Sequence, residues 1–166
     1  MEMKLTAIQA QYMHGTGGLS DYQIRVYKSK SSHIKDTLND VKNILESFDI
    51  LRIRVNEYTK DVETVSVDYY SSSTECFEHC IRLFEHGEIS NDKVVNSNIE
   101  ETSKIISLTE LPFCINVIRF IDSVYIVIFS HHMLVDGVSW RLIEDCMNRG
   151  VDLSLIHISE PTRLRH

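Results

Sequence analysis

Apolar and polar residues change their spacing several times along this chain, and each change predicts an element. From Ser32 to Phe48 apolar side chains fall at Ile34, Leu38, Val41, Ile44, Leu45 and Phe48, with charged residues between them. That is one stripe of a 3.6-residue period, so a helix with a core-facing side is expected. Asp21 to Lys28 and Ile50 to Glu57 alternate instead, which predicts strands. In the second of these the alternation places Arg52 and Arg54 on one face. Glu63 to Tyr69 is expected to pair with it across a turn at residues 59–61. Residues 6–13 read as a short helix, broken by Gly15, Gly17 and Gly18.

Further along, Phe77, Cys80, Ile81 and Phe84 share a helical face, so a helix is expected over Glu75 to His86. Ser72 and Glu75 have capping-box spacing before it, and Gly87 is a stop signal after it. Residues 88–109 are polar and rich in Asn, Ser and Glu, and read as a loop with one short strand. Cys114 to Ile121 and Val124 to Ser130 are apolar runs flanking Asp122-Ser123, a two-residue hairpin turn. A helix over residues 139–148 follows, with Gly150 as its cap. Helices and hairpins are mixed along the chain, so the expected class is α+β, a two-layer sandwich.

Composition narrows the partners. The 166 residues are 43% apolar and 25% charged, with a net charge of −7. That is enough chain for one domain with a real core. Lys and Arg are scattered, so the basic footprint of a nucleic-acid binder is absent. Cys76, Cys80, Cys114 and Cys146 show neither CxxC nor zinc spacing, and read as free thiols. The opening residues hold no apolar stretch, so no signal peptide is expected. Arg119 and Asp122 interrupt the one long apolar run, which argues against a membrane span. A cytoplasmic setting is the expectation.

The candidate chemistry lies in HHMLVDGVSW, His131 to Trp140. Two imidazoles stand where a strand (Val124 to Ser130) ends, with a carboxylate and a glycine just beyond. Imidazole exchanges protons near neutral pH, so a positioned pair is a natural general-base site. Gly137 allows close backbone approach or a positive φ. A zinc site on His132 and Asp136 is the competing reading. The two residues straddle a turn and no third ligand is near, so no metal is expected.

This stretch resembles the HHxxxDG signature of the non-ribosomal peptide synthetase condensation superfamily. The continuation VSWRLIED is more similar to its epimerization branch than to its amide-forming branch. LTAIQ (Leu5 to Gln9) resembles the LTPxQ opening of these domains, with Ala7 in place of proline. FDILRIRV (Phe48 to Val55) resembles RHExLRTxF, with Ser47-Phe48 for Arg-His, Asp49 for Glu, and Arg52 on the arginine. The resemblance implies a chloramphenicol-acetyltransferase-like fold, of which this chain is the first of two halves. It implies His132 as catalytic base, and His131, Asp136, Gly137 and Arg52 as residues that shape the site, with Arg52 holding Asp136. An aspartate paired with a guanidinium is held ionised and oriented, which suits a structural role.

The implied substrates are aminoacyl or peptidyl thioesters on the phosphopantetheine arm of a carrier protein, with no cofactor bound by the chain itself. Two other readings stay open: a free-standing acyltransferase using acyl-CoA, and a non-catalytic docking half-domain. Residues 153–163, LSLIHISEPTR, look like a translated sequencing adapter. The expected division is therefore 1–152 as the half-domain and 153–166 as a read-through tail that packs poorly. A half-domain of this kind is expected to be inactive alone.

Overall fold

A computed structural model describes residues 2–4, 21–29, 33–57, 64–135, 137–148 and 153–155. Among the described residues the strands are β1 (Glu2–Lys4), β2 (Tyr22–Ser29), β3 (Ile53–Glu57), β4 (Thr64–Tyr69), β5 (Ile81–Glu85), β6 (Phe113–Arg119), β7 (Val124–His131) and β8 (Leu153–Leu155). The helices are α1 (Ile34–Ser47), α2 (Ser73–Cys80), α3 (Asp92–Ser103) and α4 (Gly137–Asn148). A larger sheet has the order β5-β6-β7-β2-β8 and a smaller one the order β1-β4-β3. All pairings are antiparallel except β5 with β6.

Every residue of β7 is buried, which explains why the run from Val124 to Phe129 is continuously apolar instead of alternating. Val124, Ile126 and Ile128 point to one face with Phe113, Ile115 and Val117 of β6. There they meet Val41, Ile44 and Leu45 of α1, Cys76 of α2, and Trp140 and Ile143 of α4. Tyr125, Val127 and Phe129 point to the other face and meet Val95 and Ile99 of α3. The mixed α and β content matches the expected class. Because α3 covers the second face, the larger sheet has helices on both sides, one layer more than the expected two-layer sandwich.

Four sequence expectations need correction. The helix expected to reach His86 ends at Cys80, and the chain runs directly into β5. Ile81 and Phe84 fit the helical stripe, but their backbone finds a ladder on the open edge of β6, pairing Ile81 with Ile115 and Phe84 with Ile118. Tertiary pairing overrides local spacing here. The capping feature does form: Ser72 accepts from the Glu75 amide at 3.1 Å, while the Glu75 carboxylate reaches back to the Ser71 amide.

Residues 88–109, expected to be a loop, contain α3. Its buried positions are Val95, Asn98, Ile99 and Thr102, a helical stripe in which two of four members are polar. Asn98 and Thr102 are buried because both accept hydrogen bonds from the Asn116 side chain of β6, each at 2.8 Å. The strand expected from Ile50 begins at Ile53, after a 3₁₀ turn over Asp49–Arg52. The hairpin turn is displaced by one residue. The Phe120 amide donates to the Ser123 carbonyl at 2.8 Å, which makes Ile121 and Asp122 the turn.

The tail supplies β8, three residues at the sheet edge paired with Tyr27 to Ser29. The helix expected at 6–13, the turn at 59–61 and the Gly150 cap lie outside the described residues, as does LTAIQ.

Candidate functional site

At the end of β7 the His131 amide donates to Pro112 at 2.8 Å, and the next amide, of His132, donates to Asp21 at 2.9 Å. The chain is thus held at both residues by backbone bonds. A tight turn follows, closed by the Leu134 amide donating to the His131 carbonyl at 2.9 Å. Gly137 then opens α4. Both histidines are fixed at the junction of strand and helix by backbone bonds.

His131 is 4% exposed and packs edge-on against Tyr22, with ring centroids 5.4 Å apart. Tyr22 is itself anchored by its hydroxyl donating to the Leu111 carbonyl at 2.7 Å. The Met133 amide donates to Nδ1 of His131 at 3.1 Å. Nδ1 must therefore be unprotonated, which leaves a neutral ring with its proton on Nε2. Burial pushes its pKa down to about 4; the Asp21 carboxylate opposes this and His132 adds to it.

His132 is half-buried. Burial also pushes its pKa below the ordinary histidine value, with Asp21 raising it and Arg25 lowering it. A ring shifted this way is neutral at neutral pH and can accept a proton. Beside it, β2 turns Gln23, Arg25 and Tyr27 toward α4. Trp140 donates from Nε1 to Gln23 at 2.5 Å, and the Arg25 guanidinium lies 5.1 Å from the Trp140 ring. Tyr27 donates to Glu144 at 2.8 Å. These contacts lock α4 to the strand that follows Asp21.

Arg52 stands in the 3₁₀ turn instead of a strand. It donates from one guanidinium nitrogen to the carbonyls of Leu45 and Glu46, at 2.6 and 2.8 Å, and from the other to Asp49 at 2.5 Å. It thereby satisfies carbonyls at the C-terminal end of α1. Asp136, and with it the expected Arg52–Asp136 ion pair, lies outside the described residues. Among the described residues no group of three or more His, Cys, Asp or Glu could hold a metal ion. Nor is any described helix long and apolar enough to cross a membrane.

Sequence reasoning missed Asp21, Gln23 and Arg25. In the sequence they are ordinary residues of an alternating strand. Only the β2–β7 register, which pairs Tyr22 with His131, brings Asp21 and Arg25 to the histidines and Gln23 to Trp140.

No protein-family model matches the chain, and no curated protein does so. Solved structures do. The epimerization domain from the third module of tyrocidine synthetase B superposes with a TM-score of 0.66 at 16% identity, over 89% of this chain and 34% of that one. The starter condensation domain of rhizomide synthetase gives 0.64 at 10% identity, over 89% and 36%. The tallysomycin biosynthesis protein TlmII gives 0.67 at 9% identity, over 90% and 38%. The chain spans about a third of the length of these structures. At such identities the likeness is one of fold: this chain folds like part of these condensation and epimerization domains.

Proposed function

We propose that this chain is part of a peptide synthetase condensation-superfamily domain acting on aminoacyl or peptidyl thioesters carried by a carrier protein, with epimerization favoured over amide formation. The observation that carries this reading is a half-buried His132, held by its backbone in the frame HHMLVDG at the end of β7 and with its pKa pushed below the ordinary value by burial, on a fold similar to those domains. His132 acts as the base. Its lone pair takes the α-proton of the thioester, the electron pair moves onto the carbonyl as an enolate, and an acid elsewhere in the domain returns a proton to the opposite face. His131 fixes the turn through its bond from Met133, and Gly137 starts α4. Arg52 and Asp136 shape the surrounding chain.

Residues 153–166 are proposed to lie outside the domain as read-through, with the domain portion ending near Asp152. The 166 residues alone supply one wall of a substrate channel and are proposed to be inactive by themselves. Proton transfer needs donor and acceptor held within hydrogen-bond reach, which a single wall does not enforce.

The test uses the recovered coding sequence that continues beyond Asp152. The expressed protein is incubated in D2O with a carrier protein loaded with an L-amino acid, and deuterium at the α-carbon is followed by mass spectrometry. Deuterium uptake with inversion, lowered at least about 100-fold in His132→Ala, is expected. Peptide bond formation without exchange would move the assignment to the amide-forming branch. Acyl transfer from CoA to a free amine, or a folded protein with no turnover, would overturn the proposal in favour of an acyltransferase or a docking module.

A further inference from the structure

We infer that Asp21 is a positioning residue for His132: the two are bonded backbone to backbone at the end of the β2–β7 ladder, and the Asp21 carboxylate stabilises the charged ring that forms when a proton is taken up. This rests on the reading of His132 as the proton-transferring group. The geometry begins with the backbone. The His132 amide donates to the Asp21 carbonyl at 2.9 Å, one step beyond the Tyr22–His131 pair, so the two residues are fixed opposite each other. Asp21 is only 8% exposed, in a position where a carboxylate requires polar or charged partners. It acts on both imidazoles, favouring the protonated form of each.

The two histidines differ in what they can do with that influence. His131 is committed, because its Nδ1 accepts from Met133 and its ring is enclosed against Tyr22. His132 is the more exposed ring, so its protonation responds to its neighbours. Among the described residues, the charged and titratable groups that act on it are Asp21, just before β2, Arg25 of β2 and His131 beside it. On α4, Glu144 is engaged by Tyr27. Arg25 opposes protonation and Asp21 favours it. Removing Asp21 leaves the cation unopposed, so His132 would hold a proton less readily and its transient imidazolium would be less stable.

The test is an NMR titration of the full chain labelled with 13C and 15N, reading the His132 ring and the Asp21 carboxyl carbon together. In the wild type the Asp21 carbon is expected to show an inflection at the pH where His132 titrates, and His132→Ala should remove it. In Asp21→Asn the His132 inflection should move to lower pH, and Asp21→Glu should bring it back toward the wild type. A native amide spectrum for Asp21→Asn with the His132 inflection unmoved would overturn the inference. So would a wild-type Asp21 carbon blind to His132, a result that needs no variant to fold. In the active full-length protein, Asp21→Asn should also shift the acid limb of the pH–rate profile to lower pH, which loss of structure alone does not do. If deuterium exchange fails while the NMR coupling holds, only the reading of His132 as base falls. If exchange succeeds without the coupling, only the role of Asp21 falls.

Discussion

A histidine whose ring is enclosed and neutral makes stability depend on pH, and His131 is such a residue. Its folded-state pKa of about 4 lies below the ordinary 6.5. Between those values the unfolded chain takes up a proton that the folded chain refuses. The stability His131 contributes is therefore present above pH 6.5 and is lost as pH falls toward 4, by about 3 kcal/mol in all. Urea unfolding across that window should show a steeper loss for the wild type than for His131→Gln. Equal slopes would mean the ring is not held neutral. At this scale the sequence was partly legible. HHMLVDG marked the two histidines because its residue types carry chemistry in a short run. Asp21 carried no such mark, since a carboxylate at a strand start is ordinary until the strand pairing is known. Arg52 was read as an inward strand arginine, but the chain turns at Asp49–Arg52 and its guanidinium is spent on the end of α1 and on Asp49.

Among elements, α3 shows why polarity misled the sequence reading. Half its buried stripe is Asn98 and Thr102, whose burial is satisfied by Asn116 on β6, which binds both, with Arg82 also donating to Thr102 at 3.3 Å. A hydropathy pattern sees neither the partner nor the bond. Asn116→Ala should cost about 1–3 kcal/mol, because it leaves the buried Asn98 acceptor without its Asn116 donor and takes one of two donors from Thr102. Chemical denaturation checks this, and a change within error would mean that the network is not coupled to the fold. The start of α3 is capped by the Asn91 side chain, which accepts from the Val94 amide at 2.9 Å. Asn91→Ala should lower stability by about 1 kcal/mol, with a smaller loss for Asn91→Gly. By contrast α1, β7 and α4 were legible. Long periodic or continuously apolar runs are specified by their own residues. The short β5 depends on the edge of β6, far away in sequence.

For the whole molecule, the larger sheet is the frame on which the site depends. β7 carries the histidines, β2 brings Asp21 beside them, and α4 starts just after them and is pinned back to β2 through Trp140 and Tyr27. The mixed class was readable from the order of elements, and the strand order was not, because pairing partners leave no local trace. β8 adds only three residues at the sheet edge. Removing residues 153–166 should therefore change stability by less than about 1 kcal/mol, a shift of some 2–4 °C in Tm by calorimetry. A much larger loss would show the tail to be integral. The central claim is that His132 is a neutral base poised for proton transfer, and a pH–rate profile for α-proton exchange on the full-length protein tests it most directly. The rate should rise with pH through an inflection below 6.5, the value from which burial and Arg25 displace His132, and then level off. In His132→Ala that inflection should vanish together with at least about 99% of the rate. An unchanged profile in His132→Ala, or an inflection well above 6.5, would contradict the account.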